Sequence, residues 1–244
     1  MSHHIIELKD VSFCYPDGFF AIRNISFTIL HGETVGVIGA NGSGKSTLLR
    51  LISGIYPPTS GEILIGNIKM TNKNVNQLRK RLGFIFQNPE DQLFMTTVFD
   101  DVAFGPRNFG LSEIEVEKKV DEALEKVGIL HLKDRFSHRL SDGEKHLAAI
   151  ASVLSMDPEM LLMDEPTSQL DPKARRRIIE LLKQFPHSKI ITSHDLEMIL
   201  EICSRVIILK DGKILVDSFS LDILKDEKLM ESALLEVPIS LKSK

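Results

Sequence analysis

The apolar positions of the chain follow three rhythms in turn. Between residues 5 and 30 they alternate with polar ones (Ile6, Leu8, Val11 and Phe13, then Ile22, Ile25, Phe27 and Ile29), around Pro16-Asp17-Gly18. That pattern predicts an antiparallel hairpin. Thr34-Val35-Gly36-Val37-Ile38 is instead a continuous β-branched run, as in a strand buried on both faces of a parallel sheet. Leu48, Leu49, Leu51 and Ile52 then share the face of a short helix, with Gly54 as its C′ residue. Further strands are predicted at Glu62 to Gly66 and at Leu82 to Phe86, the latter leading to Gln87. From about residue 88 to residue 157 the pattern is helical. Ser112 and Glu115 form a capping box ahead of a stripe of Val116, Val120, Leu124 and Val127, closed by Gly128. Ser141-Asp142-Gly143-Glu144 opens a second helix, with Leu147, Ile150, Ala151 and Leu154 on its apolar face. Strands then resume at Met160 to Met163, at Lys189 to Ile191, and as a pair, Val206 to Leu209 and Ile214 to Val216, about Asp211-Gly212. Asp171-Pro172 supplies the N-cap and N1 residues of a helix among them. The expected architecture is α/β with a parallel sheet, a small antiparallel β subdomain at the N-terminus and an inserted helical subdomain. The main domain is expected over residues 5–217, with residues 218–244 as a short extension. The basic clusters at Arg79 to Arg81 and Arg175 to Arg177 read as solvated faces.

Candidate chemistry begins where the buried run Thr34 to Ile38 meets the first helix. Gly39-Ala40-Asn41-Gly42-Ser43-Gly44-Lys45-Ser46-Thr47 has the pattern G-x-x-x-x-G-K-S between a strand and a helix. Its glycines let the backbone wrap an anion with N–H groups pointing inward, aided by the positive end of the helix. Lys45 is placed to reach the β- and γ-phosphates of a nucleoside triphosphate, and the Ser46 hydroxyl to bind Mg²⁺. A second motif lies far along the chain, where Met160-Leu161-Leu162-Met163 ends in Asp164-Glu165. Two carboxylates at the carboxyl edge of such a sheet suit a Mg²⁺ ligand, Asp164, and a general base, Glu165.

Composition narrows the partners. The 244 residues are 43% hydrophobic and 26% charged, ordinary for a globular chain, with a net charge of −4. That balance gives no electrostatic footprint for non-specific nucleic-acid binding. Cys14 and Cys203 lie outside any metal-binding spacing and read as reduced core residues of a cytosolic protein. No apolar stretch approaches the ~18 residues of a membrane span. His3-His4 is assigned no function.

With both motifs in view, residues 5–217 resemble the ATP-binding subunits of ABC transporters. The resemblance matches Tyr15 to the family's adenine-stacking aromatic, and Gln87 to the glutamine that links Mg²⁺ and the γ-phosphate to the transmembrane partner. It matches Leu140-Ser141-Asp142-Gly143-Glu144 to the signature L-S-G-G-Q, Ser168-Gln169-Leu170-Asp171 to the D-loop, and His194 to the switch histidine. It implies an ATPase using ATP and Mg²⁺, with Glu165, His194 and Gln87 catalytic, and Ser46, Gln87 and Asp164 at the metal. It also implies a homodimer, or a heterodimer with a related ATPase, in which Ser141 and Gly143 face ATP held by the opposite subunit. Two signature positions depart from the family: Asp142 replaces glycine and Glu144 replaces glutamine. A carboxylate near those phosphates would repel them by a few kcal/mol, on the order of the Coulomb term at 4 Å, so Asp142 is expected to point away. Gln169 stands where small residues are usual.

The stretch Phe86 to Phe94 with Thr97-Val98 and Asp101 to Pro106 is similar to the ATPases of energy-coupling-factor importers, which take up cobalt, nickel or vitamins. Glu90 stands there for the usual aspartate. The similarity implies that Gln87 to Phe94 contact a transmembrane coupling subunit, with Leu93 and Phe94 as an apolar floor beside Glu90 and Asp91. Such a protein would sit peripherally on the cytoplasmic face of the membrane. Members of that subfamily commonly run further at the C-terminus, so a dimerising C-terminal module is expected to be small or absent. A soluble ABC-type ATPase acting on nucleic acid is a competing class, disfavoured by the acidic balance. A P-loop kinase or GTPase is another, disfavoured by the signature motif and the lack of an N-K-x-D loop.

Overall fold

The computed structural model describes residues 4–242, so His3 of the His3-His4 pair lies outside them. In chain order the elements are β1 (His4–Cys14), β2 (Phe20–Leu30), β3 (Thr34–Ile38), α1 (Lys45–Ile52), β4 (Ser60–Ile65), β5 (Ile68–Lys69), α2 (Val75–Arg79) and β6 (Leu82–Ile85). A helical layer follows: α3 (Val98–Asn108), α4 (Glu113–Lys126) and α5 (Asp142–Leu154). Then come β7 (Met160–Asp164), α6 (Pro172–Gln184), β8 (Ser188–Thr192), α7 (Leu196–Ile202), β9 (Arg205–Lys210), β10 (Lys213–Phe219), α8 (Ser220–Leu224) and α9 (Glu227–Ser232).

Two sheets result. One is antiparallel, in the order β2-β1-β4-β5; the other has six strands in the order β10-β9-β3-β8-β7-β6, parallel except for β10. The hairpin departs from strict alternation where apolar spacing jumps from Leu8 to Val11 and from Ile22 to Ile25. Register shifts occur there, with Asp10 and Asn24 at positive φ, and Asp10 N donates to Ser26 Oγ at 2.8 Å. An extra residue on a strand lets the side chains after it return to the core face.

The central strands are buried on both sides, and alternate residues enter different cores. Met160 and Leu162 of β7 join α1 and the antiparallel sheet; Leu161 and Met163 join the helical layer, α6 and α7. Helix α1 is sandwiched between the two sheets, and Leu48, Leu49, Leu51 and Ile52 are fully buried. The helical layer contains one helix more than the sequence reading supplies. Val98, Val102, Ala103 and Pro106 of α3 are buried, and Pro106 sits near its C-terminal end.

The basic clusters are not simply solvated, which corrects the sequence reading. Arg81 pairs with Glu159 through Nε (2.8 Å) and Nη2 (2.7 Å), and Arg175 makes the same fork on Asp195. Arg79 donates to the carbonyls of Ser53 and Gly54 at the end of α1, and Arg177 to those of Val127 and Gly128 at the end of α4. Guanidinium at a helix C-terminus satisfies orphan carbonyls and complements the helix dipole. Of the cysteines, Cys203 is buried, which pushes its thiol up to about 12. Cys14 is only half-buried, its thiol 3.4 Å from the Tyr15 carbonyl.

The chain after residue 217 is built into the main body. β10 runs on to Phe219, and Ile223, Leu224, Met230, Ala233 and Val237 are buried in the helical-layer core. Ser240 caps the arrangement by donating its N–H (2.9 Å) and hydroxyl (2.7 Å) to Glu197 of α7.

Candidate functional site

Five parallel strands end at one edge of the large sheet, where ligands of open α/β sheets bind. Gly39 follows β3, Asp164 and Glu165 close β7, Thr192 and His194 close β8, and Gln87 follows β6. Because β8 lies between β3 and β7, the phosphate loop meets the acidic pair across the end of β8.

The loop needs glycine where it is tightest. At Gly39 (φ +153°) a Cβ would lie 2.3 Å from the Leu209 carbonyl, and at Gly44 (φ +107°) 2.6 Å from that of Ala21. Lys45 curls back over this loop. Its ammonium donates to the carbonyls of Gly39 (2.8 Å) and Ala40 (3.3 Å) and lies 3.3 Å from Nε2 of His194. Burial lowers its pKa, partly offset by the carboxylates of Glu165 and Asp164. Ser46 donates to Oδ1 of Asp164 at 3.1 Å, and Thr192 donates to the same oxygen at 2.7 Å. The register pairs Asp164 with Thr192 across the sheet, so the strand pairing itself builds this contact.

Glu165 adopts a left-handed backbone (φ +49°), which is costly for a residue with a Cβ and turns the chain sharply at the strand end. Its N–H donates to the Thr192 carbonyl at 3.0 Å, and its Oε2 accepts from the His194 N–H at 3.0 Å. The other oxygen, Oε1, is buried, has no hydrogen-bond partner and lies 3.6 Å from Nε2 of His194.

These groups face a cavity of about 430 Å³ lined by Tyr15, Phe19, Asn41 to Thr47, Gln87, Glu165 and His194. Tyr15 donates to or accepts from Thr47 Oγ1 at 2.9 Å, and its ring packs edge-on against Phe13 (4.9 Å) and Tyr56 (5.8 Å). Thr192 and Phe19 were not found from sequence. The signal for Thr192 is strand register with Asp164; Phe19, beside the Pro16-Asp17-Gly18 turn, carries none.

Ser141 and Gly143, expected from the sequence to bind nucleotide, are not brought to this cavity. They lie at the tip of α5 and line a separate cleft of about 390 Å³ with Gln169 to Asp171. Asp142 borders both this cleft and one of about 490 Å³ that reaches Ser46, Gln87 and Asp164.

The Gln87 segment is strapped to α5. Gln92 accepts from Phe86 N–H (3.2 Å) and donates to the Ala149 carbonyl (2.7 Å) and Ser152 Oγ (3.0 Å). Asn88 caps the short turn Pro89–Asp91, accepting from the Glu90 N–H. Glu90, exposed, pairs with Lys145 of α5, which holds its pKa below the usual carboxylate range. The apolar floor differs from the sequence expectation. Leu93 packs toward the helical-layer core, and the outward surface is Phe94, 63% exposed, set edge-on against Phe104 at 4.8 Å. Buried Asp101 fixes this turn by accepting from the N–H groups of Phe94 and Met95 and from the Ser137 hydroxyl. Burial raises its pKa against those three hydrogen bonds.

Residues 22–168 match the family described as ABC transporter. The chain belongs to the ABC transporter ATP-binding family. This ABC ATPase is 52% identical over 241 residues to a putative ABC transporter ATP-binding protein of Geobacter sulfurreducens, GSU1281, covering 99% of this chain and 97% of that one. It is 44% identical over 239 residues to the energy-coupling factor transporter ATP-binding protein EcfA of Methanothermobacter thermautotrophicus, covering 96% and 77%. Among solved structures it is similar to cbiO1 of Clostridium perfringens, described as part of the ABC transporter complex cbiONQ. The TM-score is 0.84 at 37% identity, with 95% of this chain and 94% of that one covered. It is also similar to the ATP-binding cassette MJ0796, solved as a dimer with ADP and Pi (TM-score 0.80, 30% identity, 88% and 98% covered). The family hydrolyses ATP, and this chain is the ATPase subunit of a transporter. Among the described residues no helix is long and apolar enough to cross a membrane.

Proposed function

We propose that this ATPase energises import of a small solute, a metal ion such as cobalt or nickel or a vitamin, through a separate transmembrane coupling subunit. It then works peripherally at the cytoplasmic face of the membrane. The observation that carries the chemical part is the buried, unpaired Oε1 of Glu165 on the cavity wall. A carboxylate oxygen with an open lone pair, fixed by the His194 N–H on its twin, is arranged to accept a proton from an attacking water. His194, 3.6 Å from that oxygen and 3.3 Å from Lys45, positions the γ-phosphate between base and ammonium. Lys45 and the loop N–H groups of residues 39–47 bind the phosphates, and Tyr15 packs on the adenine.

The residues present fit Mg²⁺. Ser46 Oγ and Asp164 Oδ1 are hard oxygen donors 3.1 Å apart, Gln87 stands on the same cleft, and no larger cluster of metal ligands occurs among the described residues. Such a site, with few protein ligands, suits an ion that keeps its waters and phosphate oxygens. When bound, Mg²⁺ neutralises charge developing on the β- and γ-phosphates. Thr192 holds Asp164 in the orientation that leaves its remaining lone pairs available.

Ser141 and Gly143, which do not line this chain's own nucleotide cavity, complete the site of a second ATPase copy, either this chain or a related one. Dimeric MJ0796 supports this reading. The coupling part rests on Gln87 to Phe94, where Glu90 and Asp91 lie exposed beside the Phe94–Phe104 pair. Carboxylates next to an apolar surface suit an arginine-bearing helix end. Glu90→Ala with Asp91→Ala is expected to weaken copurification with the membrane subunit while leaving ATP binding intact. Undiminished copurification with normal transport would remove the support for the importer subclass.

A further inference from the structure

The helical layer contains the same capping box twice, at Ser112–Glu115 of α4 and at Ser141–Glu144 of α5. In the second, Ser141 Oγ accepts from the Glu144 N–H at 3.4 Å and donates to Glu144 Oε2 at 2.9 Å. The Ser141 N–H donates to that same oxygen at 2.8 Å. These hydrogen bonds, the backbone one foremost, hold the Glu144 carboxyl below its usual range, so it is ionised at neutral pH. Its other oxygen lies 3.8 Å from Nη1 of Arg135.

A serine hydroxyl has one proton, and here Glu144 accepts it. A phosphate oxygen that takes this proton instead must come within about 3 Å of Ser141 Oγ. It then lies within roughly 6 Å of an ionised carboxylate, inside the range where like charges interact strongly. Asp142, exposed at the first position of α5, adds a second acidic side chain to the same tip. A glutamine would keep the box, because its amide oxygen accepts from the Ser141 N–H, but would carry no charge.

We propose that Glu144 is a positioning residue that sets how tightly two ATPase copies close on ATP. It turns the Ser141 hydroxyl inward and places a negative charge behind it, so the cap that starts α5 also holds back the phosphate-facing half of the interface. The proposal rests on the reading above in which the site is shared between two copies.

The test uses sedimentation velocity with Mg-ATP on the full chain carrying Glu165→Gln, with and without Glu144→Gln. Removing the charge is expected to tighten the ATP-dependent dimer about tenfold, the factor that corresponds to one pKa unit of charge interaction. The advantage should shrink as salt is raised from about 0.05 to about 0.5 M, because screening removes repulsion. Thermal unfolding should be unchanged by Glu144→Gln and lowered by Glu144→Ala, which separates charge from cap. A Glu165→Gln parent that dimerises with the same Kd whether or not Glu144 is replaced overturns this proposal alone. A parent that stays monomeric at saturating Mg-ATP overturns the shared site, and this proposal with it.

Discussion

Lys45, Asp164, Glu165 and Thr192 lie at the carboxyl edge of the large sheet, each less than a tenth exposed and each hydrogen-bonded to a neighbour in the group or to the phosphate loop. Ser141 and Asp142 lie open at the tip of α5, and the polar contacts of Ser141 are to its own helix start. The first region is finished within one chain. It is held by strand register and desolvated, so its dipoles are fixed before substrate arrives, the condition under which electrostatic catalysis is strongest. The second is a helix cap in this chain, and on the proposed shared-site reading it acts only when another copy presents a phosphate to it. A fault in the first region should therefore abolish chemistry, and a fault in the second should weaken assembly.

The largest effect is expected at Glu165. Glu165→Gln keeps the shape and the acceptor for the His194 N–H but removes the proposed base, and should lower the single-turnover hydrolysis rate by about 10²- to 10⁴-fold with ATP binding retained. A rate within threefold of the parent would take the base role from Glu165. Next comes Thr192→Val, which deletes the hydrogen bond that orients Asp164. Loss of such an outer partner typically costs about 10- to 100-fold in metal affinity, so the Mg²⁺ concentration for half-maximal ATPase should rise by that factor. An unchanged Mg²⁺ dependence would mean that Ser46 alone orients the carboxylate.

The twin capping boxes sharpen the contrast. Ser112→Ala and Ser141→Ala should each cost about 1 kcal/mol of stability, seen as a Tm drop of about 2–4 °C for a chain of this size. Only Ser141→Ala should also lower steady-state ATPase, by about tenfold or more, the factor equivalent to ~1.4 kcal/mol. Equal ATPase in the two variants would reduce the α5 tip to an ordinary helix start. The smallest effect is assigned to Asp142. Asp142 is exposed, so solvent and salt screen its charge, and Asp142→Gly should change turnover only a few-fold; a rise of about a hundredfold, roughly 2.7 kcal/mol, would mean that the native motif is impaired.

What could be read in the sequence follows the range of the interactions. The loop from Gly39 to Thr47, the strand ending in Asp164-Glu165 and both capping boxes are local patterns, and each has the element on either side that its mechanics require. The positions that escaped depend on long-range partners. Thr192 meets Asp164 only because β7 and β8 are in register, and Glu90 meets Lys145, 55 residues away, only because α5 packs beside the Pro89–Asp91 turn. Arg81 and Arg175 look like solvated charges until Glu159 and Asp195 are placed opposite them. Helix α3 was obscured by Pro106, which a sequence pattern reads as a breaker. It is tolerated because the Val102 carbonyl, which its missing N–H leaves without a helical donor, accepts from the Ser155 hydroxyl at 2.9 Å.

The Gln92 contacts turn residues 86–92 into a short closed loop, pinned to the end of β6 at one side and to α5 at the other. A loop this short retains little conformational entropy. A displacement of Gln87 would therefore be poorly absorbed by local slack and would press on α5 at Ala149 and Ser152. Gln92 is the tie between the Gln87 segment and the C-terminal half of α5. Gln92→Ala should loosen that tie, seen as faster hydrogen exchange of residues 86–92 with the fold unchanged.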